Sequence, residues 1–519
     1  MKLKHKIQLF LLTLTASFSV SGQVQDSARN SLSSEKIILL KTPWSESGNA
    51  AGLQSYDIPE RLGTASLFYH HEEGGYHRFQ EEKNQDIYGF QTNGYQQLNR
   101  WKFYGVFQYY SQQDKGVKWV DVLEPYNDNP YTLGDATGGT YYKEFFDMQG
   151  RGALSVNEFW DVGFDVNYKT GVGARRKDPR PTNKATEFDF KPGIIFKPGN
   201  IKLGVNLHFQ TGKEDISLET LSDSIYNFYH FRGMGVYSTS QEMDNRSNQS
   251  GLWGGGIQFG WNGNRLSNLT EISFSQKETE IKRGKLSPIQ VVLLEKFQTD
   301  VSSTFILQNS KEVLHKVRFY FTGKHIYGHE PVIEPKETQE NFQWSTLAKY
   351  VLYRHKEDNF GINYSWYKII NRDHINWGLN AGAQVSTSET SYYFVPEKNK
   401  QELNYIKVNA SVEKELDVHI ADIVFSINGA YQKGFNSRLN LVTDPSLLET
   451  TNVEMVEHDF NFWLKQRTEL GGKIKIAREI DLYKYPLQLY TGIEYKKRLS
   501  KMPADPERNF TSIQLGINF

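Results

Sequence analysis

Three histidines near residue 70 are the side chains best suited by type to bind a transition metal. His70 and His71 are adjacent, Glu72 and Glu73 follow them, and His77 lies in the same stretch. Imidazole nitrogens and carboxylate oxygens are common ligands of zinc and iron. Adjacent residues of a strand point to opposite faces, so His70 and His71 can share one ion only where the strand has ended. The sequence thus offers His70, His71 and His77 as metal ligands, with a solvated loop as the alternative.

A second group of ionisable side chains is cationic and lies near the C-terminus. If the stretch 460–476 is one strand, Phe460, Phe462, Leu464, Ile474 and Ile476 share one face of it. The opposite face, predicted to line a lumen, carries Lys465, Arg467, Lys473 and Lys475. Two interpretations stay open. The cations attract anions into a pore, or acids across the bore such as Asp161, Asp165, Glu413 and Glu494 neutralise them.

A third basic group, Arg175-Arg176-Lys177, falls in a predicted outer loop that continues to Arg180. Guanidinium groups bind phosphate well, so this loop is a candidate contact for lipopolysaccharide. A hydrated loop without a ligand is the alternative.

The sequence contains no arrangement that is typical of catalysis. The absence of cysteine excludes thiol chemistry, disulfides and cysteine-ligated metal sites. No Gly-rich phosphate loop, Ser/His/Asp spacing or paired-carboxylate signature stands out, and no cofactor is indicated. The 60 basic and 60 acidic residues give zero net charge, so a generally basic surface for nucleic acid is excluded. We expect neither an enzyme nor a nucleic-acid partner.

The elements that position these side chains begin with a predicted signal peptide at residues 1–22. A basic start precedes an apolar stretch, Ile7 to Phe18, and Val20 and Gly22 are small enough for a cleavage site. The apolar stretch is too short for a membrane-spanning helix, which needs about 20 residues. We predict an exported mature chain that begins at Gln23.

Alternation of apolar and polar residues runs through most of the mature chain. In the stretch 201–210 every odd position is apolar and every even position is polar or glycine. Such alternation predicts strands with Val205 facing lipid and Asn206 facing a wet lumen. A secreted β-sandwich also alternates, but 14% aromatic residues, with Trp and Tyr near many strand ends, favour a barrel in lipid. The predicted fold is all-β: a single transmembrane antiparallel β-barrel over residues 62–519, with an even number of strands, about 18 to 20.

The chain ends on Ile513, Leu515, Ile517 and Phe519, which alternate with polar or small residues. This ending resembles the recognition signal of Gram-negative outer-membrane proteins. The resemblance implies recognition by the barrel-assembly machinery and an integral outer-membrane location, in contact with membrane lipid and lipopolysaccharide.

Residues 23–61 precede the first predicted strand and form a polar segment. Asn49-Ala50-Ala51-Gly52-Leu53 resembles the hatch element of long-chain fatty-acid-transporter-like barrels, with Ala50 in place of a proline. Trp44, Asn49 and Gly52 are therefore hatch candidates, and a periplasmic tail is the alternative. The segment is much shorter than the plug domain of a TonB-dependent transporter.

Taken whole, the chain resembles an uncharacterised family of outer-membrane β-barrel proteins, a domain of unknown function. The likeness is carried by Trp44 with the stretch 49–52, by Arg61-Leu62-Gly63, by Glu73-Gly74-Gly75-Tyr76 and by Lys177-Asp178-Pro179-Arg180-Pro181. The family implies fold and location but no substrate. We expect a channel or transporter for a small solute, gated by an N-terminal hatch or an inward loop. The alternative is a non-transporting scaffold or surface component that binds another envelope protein.

Overall fold

The computed structural model describes residues 32–59, 61–243, 245–284, 288–310, 312–337, 342–370, 374–394, 396–418, 421–482, 485–502 and 506–519. The predicted signal peptide, residues 1–22, lies outside the described residues, as do residues 23–31 of the predicted N-terminal segment. Among the helices of the described ranges, none is long and apolar enough to cross a membrane.

Eighteen long strands form one closed antiparallel barrel. In the first half of the chain they are β1 (Arg61–Glu73), β2 (Asn84–Leu98), β3 (Trp101–Val117), β5 (Gly139–Ser155), β6 (Trp160–Arg175), β7 (Arg180–Phe196), β8 (Ile201–Glu219), β11 (Arg246–Asn262) and β12 (Leu266–Arg283). In the second half they are β13 (Ile289–Gln308), β14 (Val313–Glu337), β15 (Phe342–Ile370), β16 (His374–Tyr393), β17 (Lys398–Val418), β18 (Ala421–Gly434), β20 (Arg467–Leu482), β21 (Tyr485–Ser500) and β22 (Glu507–Asn518).

The barrel closes between its first and last strands. β1 pairs with β2 on one side and with β22 on the other, in the register Thr64↔Asn518 to Glu73↔Asn509. Beyond the strand, the Phe519 amide donates to the Gly63 carbonyl and the Gly63 amide donates to the Phe519 carbonyl. Closure pairs both edges and leaves no open row of backbone donors and acceptors, as a strand barrel in lipid requires. The all-β barrel with an even strand number is confirmed.

The two faces of the wall differ as the alternation predicts. Along β8, Ile201, Leu203, Val205, Leu207 and Phe209 are 39 to 51% exposed on the outward face, although they are large and apolar. Exposed apolar side chains at every second position form a surface suited to lipid rather than to water. Asn206 points inward, as predicted, but it is only 7% exposed. The expectation of a wet lumen at this position is wrong, because other parts of the chain fill the bore there.

Connections at the two ends of the barrel differ in length. We call one end of the barrel the turn end: β1 starts there and β22 finishes there. The connections at the turn end are short, for example 99–100 and 197–200. At the opposite end, here the loop end, three connections are long: 118–138, 220–245 and 435–466. The sequence of residues 213–251 is long and polar and predicts a single loop, but the loop is limited to 220–245 because β8 and β11 extend into this stretch. Inward and outward side chains still alternate along the ends of β8 and β11, beyond the part of each strand whose outward face is apolar.

The long connections contain the remaining elements. β4 (Leu133–Asp135), β9 (Phe228–Gly233) and β10 (Val236–Ser240) form a separate three-stranded sheet. The first helix, α1 (Ser34–Lys41), belongs to the N-terminal segment. The last long connection contains β19 (Arg438–Asn440) and the helices α2 (Pro445–Leu448) and α3 (Val453–Leu464). Tyr131, Met234 and Val456 from three of these connections pack with strand residues such as Ile281 and Ile326. The loop end of the bore is thus occupied by inward-folded loops.

The prediction of one strand over residues 460–476 is wrong in its first part. Phe460, Phe462 and Leu464 lie in α3, and the strand starts at Arg467. The Asn452 side chain accepts a hydrogen bond from the Met455 amide and caps the helix. Val456, Phe460 and Trp463 recur at the three- and four-residue spacing of one helical face. Over so few residues that spacing is easily mistaken for alternation, since Phe460, Phe462 and Leu464 also match a period of two.

Candidate functional site

The N-terminal segment, residues 32–59, lies inside the barrel near the turn end. It consists of α1 followed by two 3-10 helices, Pro43–Glu46 and Ala50–Ser55. Trp44 and Leu53 are 1% exposed and pack with Leu62 and Ile195 of the wall in one apolar cluster. Ile37 and Leu40 of α1 pack in a second cluster with Leu314 and Ile375 at the turn ends of β14 and β16.

Glycines on the lumen face allow this close approach. A Cβ at Gly163 would lie 2.5 Å from the Ala51 amide nitrogen, and one at Gly193 would lie 2.1 Å from Asn49 Oδ1. A Cβ at Gly260 would lie 3.0 Å from the Trp44 ring. A side chain at Gly163 would force the backbone of the segment to shift, one at Gly193 would displace the Asn49 side chain, and one at Gly260 would press on the Trp44 ring. The glycines of three strands therefore form a groove that fits the residues 44–51.

Asn49 is the most fully bonded side chain of the segment and is 1% exposed. Its Nδ2 donates toward the carbonyl of Ile194 (3.2 Å), the carbonyl of Val205 (3.1 Å) and Gln258 Oε1 (2.9 Å). Its Oδ1 accepts from the Ala51 amide at 3.0 Å and caps the second 3-10 helix. Asn49 therefore joins the segment to β7, β8 and β11 at once.

Ion pairs attach the segment to the opposite wall. Lys36 Nζ lies 2.7 Å from a carboxylate oxygen of Glu413 on β17. Glu46 pairs with Lys316, at 2.6 Å, and with Arg318, both on β14. Burial opposes ionisation of Glu46, but the charges of Lys316 and Arg318 hold the pKa of this carboxyl below its usual range.

Further polar contacts complete the circumference. Glu35 Oε1 accepts from Asn93 of β2, and the Lys102 ammonium of β3 donates to the Gln54 and Tyr56 carbonyls. The Gly48 amide donates to Glu271 of β12. Contacts of the segment thus run round the barrel from β2 to β17. The segment closes the turn end through a mixture of apolar packing and many polar contacts.

A cavity of about 640 Å³ opens at the loop end, and we call it the outer cavity. Its aromatic lining comprises Tyr76, Tyr126, Phe145, Phe462, Trp463 and Phe510. Tyr76 is fully buried, stacks on Phe462 at 4.5 Å between ring centroids, and donates from its hydroxyl to the Phe462 carbonyl. The C-terminal end of α3 is thereby fixed against the connection 74–83. The volume is that of a small-molecule site.

Charged side chains also line the outer cavity. Its cations are Arg78, Lys143, Arg467, Arg498 and Arg508, and its acids are Glu72, Glu81, Glu82, Asp114 and Glu124. Arg508 is 4% exposed at its side chain and pairs with both Glu72 and Glu82. Burial, followed by the nearby Asp114, raises the pKa of Glu82 to about 7. The ion pairs of Arg508 with Glu72 and Glu82 hold the connection 74–83 in place at the rim of the cavity.

The three histidines predicted as metal ligands are not brought together. His70 lies on the lumen side beside Phe68, whereas His71 contacts Asp86 at 2.8 Å on the other face of β1. His77 packs near His458, with 6.2 Å between ring centroids. No group of three or more His, Cys, Asp or Glu side chains suited to a metal ion occurs in the described ranges.

The predicted cationic stripe is divided between two places. Arg467 belongs to the outer cavity, and Lys465 ends α3 instead of lying on a strand. Lys473 and Lys475 do face the lumen, opposite the outward Ile474 and Ile476. Lys473 lies 4.0 Å from Glu494, and Lys475 Nζ lies 3.8 Å from the centre of the Tyr490 ring.

The basic loop is also divided. Arg175 is buried and pairs with Asp121 and Asp135 of the inward-folded connection 118–138, so it is unavailable to a surface ligand. Arg176 and Lys177 remain exposed, and Arg176 lies over the Tyr142 ring at 4.8 Å. Lipopolysaccharide contact at these two side chains stays a prediction.

The C-terminal residues occupy the closing strand as expected. Ile513, Leu515 and Ile517 are 36 to 51% exposed on the outward face of β22, and the Phe519 ring would touch any Cβ placed at Gly63. Their role as an insertion signal stays a prediction.

Sequence reasoning missed the residues that build the outer cavity. Tyr126 and Trp463 are remote in sequence and meet only through Arg78, whose guanidinium lies 4.1 Å from the Tyr126 ring and 5.0 Å from the Trp463 ring. The one available signal was the aromatic pair Phe462-Trp463 beside Arg467. Gly193 and Gly260 leave the space that the N-terminal segment occupies, but the sequence does not distinguish them from the many other glycines of the strands.

The fold and the packed bore define a closed 18-stranded antiparallel β-barrel whose lumen is filled by an N-terminal segment and by inward-folded loops. The chain belongs to a family of unknown function (DUF6850), whose model matches residues 50–519. This confirms the resemblance to a family of unknown function; the likeness of the stretch 49–53 to the hatch of fatty-acid-transporter-like barrels stays a prediction. No curated protein matches the chain.

Several solved outer-membrane transporters share the general outline. The copper transporter OprC matches with 6% identity, 88% of this chain, 80% of that chain and a TM-score of 0.40. The RagAB peptide transporter matches with 7% identity, 88% of this chain, 86% of that chain and a TM-score of 0.41. BauA, the ferric preacinetobactin receptor from Acinetobacter baumannii, matches with 7% identity, 88% and 80% coverage and a TM-score of 0.38. Similarity at these TM-scores carries no argument about this chain.

Proposed function

We propose that the protein is an outer-membrane channel or transporter for a small solute, and that the N-terminal segment is its hatch. The observation that supports this most is the placement of residues 33–58 across the turn end of a closed barrel. The barrel wall is complete without the segment, because its strands pair with each other all the way round. A part that blocks the bore without belonging to the wall is suited to open and close it.

The chemistry of the interface suits reversible opening. Asn49, Glu46 and Lys36 bind the wall through hydrogen bonds and ion pairs, which water can replace when the segment leaves. Opening would expose the polar lumen side chains Glu413, Lys316 and Gln258, together with two separate apolar patches around Ile195 and Leu314. Opening thus costs less than exposing a continuous apolar core of the same area.

The outer-membrane location rests on the wall. The outward apolar face, the predicted signal peptide and the closing strand together favour a Gram-negative outer membrane, with the short turns in the periplasm. Membrane lipid, lipopolysaccharide and the barrel-assembly machinery are the partners that this location implies.

A reversible crosslink tests the hatch. A Cβ at Gly193 would lie 2.8 Å from Asn49 Cγ, close to the roughly 3 Å between one Cβ and the opposite sulfur in a disulfide. The double variant Asn49→Cys/Gly193→Cys therefore locks the segment to β7 in a chain that has no other cysteine. Solute flux into liposomes is measured in moderate urea, because urea loosens a short packed segment before it unfolds a barrel. We expect this flux to stop when the double variant is oxidised and to return when it is reduced.

The single variants Asn49→Cys and Gly193→Cys are the matched controls, and their flux should not respond to oxidation. Equal flux through the oxidised and reduced double variant would refute the hatch. If the reduced double variant and the unmodified protein both pass no solute, the proposed transport is wrong. That result favours the non-transporting scaffold or surface component that binds another envelope protein.

A further inference from the structure

We propose that the outer cavity binds a ring-shaped organic carboxylate of the sugar-acid type. This inference deepens the proposed function. It rests on the proposed function only where it takes the bound anion to be the transported solute. Binding at the cavity does not itself depend on the hatch, because the lining residues lie at the loop end and the hatch lies at the turn end.

The charge balance of the outer cavity supports an anion. Four of its five lining cations have a carboxylate partner: Arg78 with Glu81, Lys143 with Asp114, Arg498 with Glu469, and Arg508 with Glu72 and Glu82. Glu124, the remaining lining acid, pairs with Lys169. Within the described ranges, Arg467 has no carboxylate within 4.0 Å and no side-chain hydrogen bond. Arg467 is therefore the one lining cation without an ion-pair partner among the described residues, and its guanidinium matches a single carboxylate.

Aromatic faces beside Arg467 support a ring. Its guanidinium carbon lies 5.5 Å from the centre of the Trp463 ring and 6.0 Å from that of Phe462. The Trp463 ring stacks on Tyr405, at 5.5 Å between ring centroids, and the side-chain amide of Gln432 on β18 donates to the Trp463 carbonyl. A fixed aromatic surface beside a guanidinium that has no ion-pair partner fits a ligand whose ring has one apolar face and one carboxylate.

The polar remainder of the lining favours a sugar acid over a purely aromatic acid. Gln112 and Asn127 line the same cavity, together with the Tyr126 ring. Amide groups donate and accept hydrogen bonds and so match hydroxyl groups at the edge of a ring. A volume of about 640 Å³ admits such a ligand with room for water.

Calorimetric titration of the purified full-length protein in detergent tests the inference with three probes. D-Glucuronate carries a ring and a carboxylate, D-glucose carries the ring alone, and acetate carries the carboxylate alone. We expect glucuronate to bind, and glucose and acetate to bind at least about tenfold more weakly. No heat of binding for glucuronate up to about 10 mM, or equal affinity for glucose, would overturn the proposal.

Variants locate the site. Arg467→Gln should weaken glucuronate binding about tenfold or more, since it removes a charged hydrogen-bond donor. Arg438→Gln removes the same charge at an exposed position of β19 outside the cavity and should leave the affinity unchanged. Trp463→Leu should weaken glucuronate by removing the aromatic face, and a barrel that still migrates faster without heating shows that each variant is folded. Unchanged binding in folded Arg467→Gln overturns the assignment.

The two proposals fail separately. If glucuronate binds through Arg467 but the crosslinked hatch does not change flux, the transport proposal is wrong and the binding site stands. If the hatch controls flux and glucuronate does not bind, the ligand assignment is wrong and the channel stands.

Discussion

Replacing Gly193 by alanine adds one methyl group where the N-terminal segment is held most tightly. The new Cβ would lie 2.1 Å from Asn49 Oδ1 and 2.8 Å from Asn49 Cγ. No atom pair tolerates that approach, and Asn49 is 1% exposed with little room to move aside. We therefore expect Gly193→Ala to expel the Asn49 side chain while the strand pairing of β7 and β8 persists.

The size of the effect follows from the bonds that Asn49 loses. Its amide group has two N–H donors for the acceptors of β7, β8 and β11, and its oxygen accepts from Ala51. Three hydrogen bonds at about 0.5–1.5 kcal/mol each give a loss of about 1.5–4.5 kcal/mol. That loss should raise the open population of the segment about 10- to 2,000-fold.

A buried thiol reports this population. Ser47 is 7% exposed and near-isosteric with cysteine, so Ser47→Cys provides one reporter in a chain that otherwise has none. A maleimide reacts with this thiol only when the segment opens, so the labelling rate rises by the same factor as the open population. The rate is compared between Ser47→Cys with and without Gly193→Ala.

Gly150→Ala in the Ser47→Cys background is the matched control. The same methyl group on β5, which β6 separates from β7, would meet nothing within 4 Å. Its labelling rate should equal that of Ser47→Cys alone. Equal rates for Gly193→Ala and Gly150→Ala would refute the groove and the role of Asn49 in it.

Two further outcomes test the wall and the ion pairs. Val205→Lys should reduce the fraction of folded barrel on unheated gels, since a cation on the lipid face costs up to about 2–4 kcal/mol. His208 lies 2.7 Å from Asp189 inside the barrel, so His208→Lys places a cation beside a carboxylate and should be tolerated. Equal loss from both variants would contradict the face assignment. Because the pKa of Glu46 is lowered, its ion pairs with Lys316 and Arg318 stabilise the closed segment above the usual carboxyl pKa and are lost as the pH falls through the lowered value. Bilayer conductance should therefore rise on acidification. Glu46→Gln should conduct more than the unmodified protein at neutral pH, and its conductance should respond less to acid. The same acid response in Glu46→Gln and the unmodified protein would exclude Glu46 as its source.

The fold was predictable from the sequence to the extent that it depends on local spacing. Val205 and Asn206 fall on the outward and inward faces as alternation predicts, and the short turns at 99–100 and 197–200 set the direction of each strand. The prediction failed at 460–464, because apolar residues spaced for one helical face also match a period of two over a few residues.

The candidate site was predictable only in part. Trp44, Asn49 and Gly52 stood out as residue types suited to close packing, and they do lie together in the segment, where a Cβ at Gly52 would be 2.8 Å from the Trp44 ring. The sequence did not show what they contact. Lys465 and Arg467 were assigned to one stripe, although a helix end and a strand start separate them.

By itself the sequence determined which residues face outward and which strand closes the barrel, because a two-residue period and a terminal apolar pattern are properties of neighbouring residues. Only the tertiary structure decided what fills the bore. The partners of Asn49 lie 145 to 209 positions further along the chain, and the outer cavity joins residues from Glu72 to Phe510. Such contacts arise when closure brings distant strands round a common axis, and pairing preferences along the chain carry no information about which lumen side chains then meet.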